Sequence, residues 1–274
     1  MKNILAPIDF SEASNNAVKY AASLSEIFNA NLNLLNVVPD TIIIDDEVAE
    51  ATISMHQELL AENNNLMTKA IKALSKNHKL KMQGQVEEGS PSNVILEAVK
   101  ETQPDIIIMG MKGKGKSNSV FGSTVSAIVR KSSVPALIIP ENASYQSIDT
   151  ITFATDFDPG TRSDSYSLLM EIAKKYNAFI QLLNVQKKRK TISDNEFIVK
   201  ISTHYSFEMM KDSFNTIEDA NVIEGINKFI EEKPCEILVM IAHKHSFFER
   251  VLGKVYTKKM SYQTKIPLLV LQNK

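Results

Sequence analysis

A stretch rich in glycine and lysine carries the clearest chemical signal in this chain. Residues 110–116 hold three glycines and three lysines, and residues 122–125 follow as Gly-Ser-Thr-Val. Glycine lets backbone N–H groups approach an anion, and a helix N-terminus adds unpaired N–H groups and a favourable dipole. The hydroxyls of Ser123 and Thr124 are further donors. The stretch therefore predicts a phosphate-binding loop, with anions attracted by Lys112, Lys114 and Lys116.

The same residues also fit a second phosphate motif. Gly110 to Ser117 match the G-x-x-x-x-G-K-[ST] pattern, in which Lys116 and Ser117 would contact the phosphates and Mg²⁺. That pattern requires a helix to begin at the Lys-Ser pair, but the next residues favour a helix poorly until Gly122-Ser123. We therefore predict a helix start at Gly122 and keep a P-loop ATPase or kinase as an alternative. A nucleotide-free scaffold is the second alternative.

Four apolar segments occur twice in the same order. The second copy of each is shifted by half the chain, whereas stacked repeat proteins have units of only about 20–50 residues. We therefore predict two tandem domains, residues 1–143 and 147–274, joined by a short polar linker. The four pairs are 4–11 with 151–158, 34–37 with 182–185, 105–109 with 236–240, and 134–138 with 266–270.

Strands and helices alternate through the first copy. Aliphatic runs without a polar face, such as residues 106–109, are typical of parallel strands buried on both faces. Ser11 and Ser90 are predicted N-caps, and Pro91 follows the second of them. The predicted fold class is α/β, with two tandem doubly wound domains that each contain a five-stranded parallel sheet. The predicted strands are 3–8, 31–38, 81–87, 105–109 and 136–139, and the predicted helices are 12–27, 47–77, 91–101 and 122–131.

The longest predicted helix, residues 47–77, has both an apolar stripe and a candidate break. Three consecutive asparagines at 63–65 are poor helix formers, so the helix is expected to break there. The stripe predicts that one side of the helix packs on the sheet. It consists of Ile53, Leu60, Met67, Ile71 and Leu74.

The composition narrows the functional classes. The chain has 274 residues and a formal net charge of −1, so no bulk positive field favours nucleic acid or an anionic membrane. No apolar run approaches the roughly 18 residues of a membrane span. Cys235 is the only cysteine, which excludes an intrachain disulfide and fits a reducing compartment. We expect a cytoplasmic protein in which Cys235 is a small core residue rather than a reactive thiol.

The motifs at the ends of the first and fourth strands resemble those of the universal stress protein family. Nucleotide-binding members of that family have an Asp at the end of the first strand and G-x2-G-x9-G-[ST] after the fourth. This sequence has Asp9, Gly110-x2-Gly113 and Gly122-Ser123, followed by a closing Pro-Ala-Leu-Ile-Ile segment. It departs from the pattern in one respect, because eight residues rather than nine separate Gly113 from Gly122. The resemblance covers the first half and implies a Rossmann-like, adenine-nucleotide alpha hydrolase-like fold.

The resemblance also implies a role for each matching position. Asp9 would lie against the adenine and ribose, although such a residue, taken alone, is more often a solvated residue before a helix. ATP, with or without Mg²⁺, would be a regulatory ligand that orders the loop 110–123 and changes contacts with a protein partner. The remaining implied contacts are Ala6 and Pro7 around the pocket, Val37 or Val38 on the base, Met109 and Gly110 along the ribose, and Gly113, Gly122, Ser123, Thr124 and Val125 at the phosphates.

The second copy lacks the glycine loop. It keeps Asp156, but Ile241 and a following Ala-His-Lys-His sequence replace the glycines, so side chains fill the place of bare backbone. We expect a degenerate domain that does not bind ATP in the usual way and has a structural or regulatory role. His243 and His245 have the spacing of half a metal site, but surface or packing histidines explain them better.

No catalytic constellation stands out in the sequence. There is no Ser/His/Asp or Cys/His order and no paired carboxylate motif, so we expect at most slow ATP hydrolysis. The resemblance implies that the two domains pair through their closing strands, and it leaves a further homodimer open. Residues 42–44, three isoleucines, are a candidate contact patch or a segment buried by the long helix.

Overall fold

The computed structural model describes residues 1–40, 49–112, 121–155, 163–186, 214–242 and 265–273. These residues form two compact units, and the main division falls between Glu141 and Asn142. Each unit contains five parallel strands and accompanying helices. Within the described part of the chain, no helix is both long enough and apolar enough to cross a membrane.

The first unit is a doubly wound parallel sheet. Its elements are β1 (Asn3–Pro7), α1 (Glu12–Phe28), β2 (Asn31–Val38), α2 (Ala49–Leu74), β3 (Met82–Glu88), α3 (Pro91–Thr102), β4 (Ile106–Gly110), α4 (Ser123–Lys131) and β5 (Ala136–Ile139). The strands lie in the order β3-β2-β1-β4-β5, and every neighbouring pair is parallel. The direction of winding reverses between β1 and β4, and ligands of such sheets bind in the crevice at that point.

The helix ends of the first unit follow the local sequence. Ser11 caps α1, because its side-chain oxygen accepts a hydrogen bond from the N–H of Ser14 at 3.2 Å. Asn29 ends the same helix in the left-handed conformation, with φ 52°. Ser90 is the N-cap of α3, without a side-chain hydrogen bond, and Pro91 lies in the first turn. Both predicted N-caps are confirmed.

The long helix α2 is continuous, so the predicted break at residues 63–65 is wrong. The side-chain amides of Asn63 and Asn64 donate to the carbonyls of Leu59 and Leu60, at 2.8 and 2.9 Å. These bonds run back one turn along the helix, so both side chains join its hydrogen-bonding pattern instead of competing with it. Three asparagines in a row are therefore accommodated without a kink.

The apolar stripe predicted for α2 is buried only toward the C-terminal end of the helix. Met67 and Leu74 are 4% and 8% exposed, whereas Ile53 is 46% exposed. The helix comes close to β3 at Gly84, where an added Cβ would lie 2.5 Å from the sulfur of Met67. The second half of α2 therefore anchors the helix to the sheet, and the expectation that Ile53 joins the buried stripe is wrong.

The second unit repeats the strand arrangement of the first. Its elements are β6 (Thr150–Ala154), a short 3-10 helix (Ser163–Tyr166), α5 (Ser167–Tyr176), β7 (Phe179–Gln186), β8 (Phe214–Glu218), α6 (Val222–Glu232), β9 (Ile237–Ala242) and β10 (Leu268–Gln272). The strands lie in the order β8-β7-β6-β9-β10, and all neighbouring pairs are parallel. The predicted fold class, two tandem five-stranded parallel sheets, is confirmed.

A carboxylate holds the start of the first strand in both units. The Asp105 carboxylate accepts hydrogen bonds from the N–H groups of Lys2 and Asn3. In the second unit the Glu236 carboxylate accepts from the N–H of Thr150 at 2.6 Å. Both acids precede the fourth strand of their unit, so the duplicated fold keeps the same connection between its two central strands.

Cys235 lies just before β9, beside Thr152. Burial raises the pKa of its thiol from 9.0 to about 11, and hydrogen bonding to Thr152 opposes this shift only in part. Since the thiolate is the reactive form, the environment of Cys235 suits a packing residue and not a nucleophile.

We expect Cys235 to be alkylated slowly in the folded protein. A rise of two pKa units lowers the thiolate fraction about hundredfold at pH 8, so iodoacetamide should react about a hundred times more slowly with folded than with urea-unfolded protein. The rate should rise as the pH approaches 11. Mass spectrometry of the labelled chain measures both rates, and equal rates at pH 8 would contradict the expectation.

Candidate functional site

The turn that follows β1 is organised by the carboxylate of Asp9. Its Oδ1 accepts hydrogen bonds from the N–H and the hydroxyl of Ser11, at 3.0 and 2.6 Å. The Asp9 N–H lies 3.3 Å from the hydroxyl of Ser14, in the first turn of α1. Phe10 has a left-handed backbone with φ 60°, and the Asn15 side-chain amide donates to its carbonyl at 3.2 Å. Asp9 thus has a structural role before the helix and also stands at the carboxyl end of β1.

The start of α4 is held against the end of β4. The Met111 N–H donates to the Ile139 carbonyl at 3.0 Å, and the Gly122 N–H donates to the Met111 carbonyl at 3.1 Å. The helix begins at Ser123 with Gly122 as its N-cap. The predicted helix start at Gly122 is therefore confirmed, and Lys116 lies outside the described residues.

The N-cap of α4 is Gly122, which has no side chain to cap the helix, and the first turn contains no acidic residue. Ser123 is exposed and Thr124 is half-buried. The first N–H groups of any α-helix have no partner within the helix, and its dipole places partial positive charge at this end. The geometry can therefore accept an anion at Ser123, Thr124 and Val125, the residues predicted to bind phosphate.

Gly110 allows α1 to approach β4. A Cβ added at Gly110 would lie 2.8 Å from the carbonyl oxygen of Ala13 and 3.1 Å from the N of Ser14. Both atoms belong to the backbone of the first turn of α1, which cannot move aside as a side chain can. The family resemblance placed Gly110 along a ribose, and the structure adds a packing role at the helix.

Strand register separates the expected base and ribose contacts into two faces of the sheet. Pro7 pairs with Leu35, and Leu5 pairs with Ile107. Because side chains alternate along a strand, Pro7, Val37 and Met109 project to one face. The side chains of Ala6 and Val38 project to the other face, where Gly110 lies against α1. Val37 is half-buried, while the other members of the two sets are buried: Ala6, Pro7, Val38, Met109 and Gly110.

Several residues singled out in the sequence lie outside the described residues. This applies to the middle of the glycine loop, to the end of the first strand in the second copy and to the candidate partner patch. Among the residues that the structure does describe, no three His, Cys, Asp or Glu side chains come together as a metal site. The residues outside the description are Gly113, Lys114, Lys116, Ser117, Asp156, His243, His245 and residues 42–44.

Sequence reasoning missed the role of Asn36. It is 3% exposed, and its side-chain amide donates to the Ile8 carbonyl at 2.7 Å, at the end of β1. Asn184 makes the same bond to the Thr155 carbonyl at 2.8 Å in the second unit. The available signal was the repeated Leu-Leu-Asn-Val sequence, in which a polar residue occurs inside an otherwise apolar strand.

Gly110→Ala should destabilise the protein, because the new methyl group meets helix backbone. Overpacking of this kind costs about 1–3 kcal/mol. Gly84→Ala is the matched control, since its Cβ would meet only side-chain atoms of Met67 and Ile71 and no backbone, so it should be destabilised less. Urea unfolding of both variants measures the difference, and a Gly110→Ala variant as stable as wild type would contradict the packing role.

Comparisons with known proteins agree with this fold. The model of the family described as "Universal stress protein family" matches residues 1–140. Universal stress protein MJ0531 of Methanocaldococcus jannaschii is 29% identical over 139 residues, covering 50% of this chain and 81% of that protein. Universal stress protein Slr1230 of Synechocystis sp. is 23% identical, covering 99% of this chain and 100% of that protein. A universal stress protein structure from Archaeoglobus fulgidus has a TM-score of 0.67 and 17% identity, with 99% of this chain and 96% of that chain covered. The chain belongs to the universal stress protein family, as a member with two tandem domains.

Proposed function

We propose that the first unit binds an adenine nucleotide, with ATP as the main ligand, in the crevice between β1 and β4. The start of α4 carries this proposal. Its N-cap is a glycine that is tied to Met111 at the end of β4, so helix N–H groups and the positive end of the dipole are held at the sheet edge. Doubly wound sheets bind ligands at this edge.

The distribution of charge supports a nucleotide over a simple anion. Asp9 stands at the end of β1, and its carboxylate can accept hydrogen bonds from ribose hydroxyls or from the adenine amino group. The helix start at Ser123 offers donors and positive potential for phosphates. The resemblance to nucleotide-binding family members assigns the same two ends to the base and the phosphates. We assign ATP a regulatory role, because the sequence carries no catalytic constellation.

The proposal leaves the second unit without an equivalent site. Ile241, in β9, corresponds to Gly110 in β4 and is 5% exposed. Ile241 thus carries a side chain at the position where Gly110 has none. The residues Ser163–Tyr166 form a 3-10 helix, whereas α1 is α-helical throughout. We therefore infer that each chain binds one nucleotide.

Calorimetric titration of the whole chain tests this function. ATP should bind with a stoichiometry of one per chain, and it should bind more tightly than GTP because adenine and guanine present opposite donors and acceptors. Inorganic phosphate alone should bind weakly. Titrations with and without Mg²⁺ establish whether the ion takes part. Absence of ATP binding at millimolar concentration, or two equal sites per chain, would overturn the proposal.

Gly122→Asp should weaken ATP binding without unfolding the protein. Gly122 has φ −62° and ψ 157°, a conformation open to any residue. Replacing Gly by Asp at an N-cap changes the free energy of unfolding by only about 0.5 kcal/mol or less. The carboxylate of the new aspartate would accept hydrogen bonds from the N–H groups that are proposed to bind phosphate, and its negative charge would repel the phosphates. We expect affinity to fall at least about tenfold, which corresponds to roughly 1.4 kcal/mol.

Two variants serve as controls for Gly122→Asp. Gly122→Asn supplies a neutral cap of the same shape, so it should weaken ATP binding less than the aspartate does. Lys116→Met should reduce affinity only slightly under this proposal, whereas a P-loop site would lose binding with that lysine. Calorimetry together with thermal unfolding separates binding from stability. Loss of binding only in Lys116→Met would favour the P-loop alternative.

A further inference from the structure

Asn36 and Asn184 occupy equivalent places in the two units and make the same contacts. Each is almost fully buried, at 3% and 4% exposed. Each donates its side-chain amide to the carbonyl of the residue directly after the first strand of its unit, Asn36 to Ile8 and Asn184 to Thr155. The main-chain hydrogen bonds beside these contacts also match. The Ile8 N–H donates to the Leu35 carbonyl and the Thr155 N–H to the Leu183 carbonyl, both at 2.9 Å.

Both asparagines leave an amide oxygen without a hydrogen bond. The Oδ1 atoms of Asn36 and Asn184 are buried and have no partner among the described residues. Turning either amide over would set two oxygens against each other, so the observed orientation follows from chemistry. A buried unpaired oxygen is unfavourable. Both units nevertheless have this unpaired oxygen, and in both the same amide donates a hydrogen bond that offsets its cost.

The bond from Asn36 fixes the peptide that leads into Asp9. The last main-chain bond between β1 and β2 is the one donated by the Ile8 N–H, and Asn36 then holds the Ile8 carbonyl at 2.7 Å. The next residue is Asp9, whose carboxylate is in turn fixed by Ser11. The Asn36 side chain thus adds one more hydrogen bond between β2 and the residue after β1, directly before the turn that contains Asp9.

We propose that Asn36 is a positioning residue of the nucleotide site. It holds the Ile8 peptide so that the Asp9 carboxylate faces the base and ribose end of the ligand. This rests on the proposed function of the first unit. Asn184 keeps the equivalent structural bond in a unit without the glycine loop, so the duplicated chain supplies its own control for a purely structural effect.

Substitution of each asparagine by leucine tests the proposal in the whole chain. Leucine has the same branched shape as asparagine but is larger, and it removes the donor to the Ile8 or Thr155 carbonyl, so both variants should lose thermal stability, by similar amounts. Asn36→Leu should weaken ATP binding at least about tenfold, whereas Asn184→Leu should stay within about twofold of wild type. Asn36→His restores a donor of similar reach and should recover affinity.

Hydrogen–deuterium exchange provides a readout that does not depend on ATP. Residues 8–11 should exchange faster in Asn36→Leu than in wild type and should be unchanged in Asn184→Leu. Equal exchange of this segment in all three proteins would overturn the positioning role, as would equal ATP affinity in wild type and Asn36→Leu. If wild type binds no ATP, the proposed function fails, and faster exchange at residues 8–11 still supports the positioning of Asp9 by Asn36. If Asn36→Leu does not fold, Asn36→Ser, whose short hydroxyl cannot reach Ile8, is expected to give the same results.

Discussion

The close approach of α1 to β4 at Gly110 is the constraint on which the first unit depends. Because Gly110 has no side chain, the carbonyl oxygen of Ala13 can lie 2.8 Å from the position that a Cβ of residue 110 would occupy. This contact sets the first turn of α1, and with it the Asp9 turn, beside the end of β4. The end of β4 also holds the start of α4 through Met111 and Gly122. One missing side chain therefore brings the two parts of the candidate site to the same edge of the sheet.

The duplicated unit shows which features belong to the fold and which belong to the site. Both units keep the strand order, the carboxylate at the start of the first strand and the buried asparagine at its end. Only the first unit has a glycine at position 110 of its fourth strand, since the equivalent residue of the second unit is Ile241. The shared contacts hold the central strands together, and Gly110 adds the close approach of α1 to β4 in the first unit.

Much of the fold could be predicted because burial leaves a direct mark on the sequence. The aliphatic run of β4 and the capping residue Ser11 indicated a buried strand and a helix start, and both are present. The break predicted in α2 was wrong because propensity ignores where side-chain amides bond, and Asn63 bonds back along the helix. The importance of Asn36 was missed because its partner, Ile8, is 28 residues away. Contacts between strands have no signature in local spacing.

The charges at the sheet edge favour one orientation of a nucleotide in the first unit. The Asp9 carboxylate repels phosphate, but it can accept hydrogen bonds from hydroxyl and amino groups. The first turn of α4 repels no anion, since it holds no acidic residue and lies at the positive end of the helix dipole. A ligand with donors at one end and negative charge at the other fits this polarity in one direction only. In the proposed complex, the base and ribose would lie toward β1 and the phosphates over Gly122.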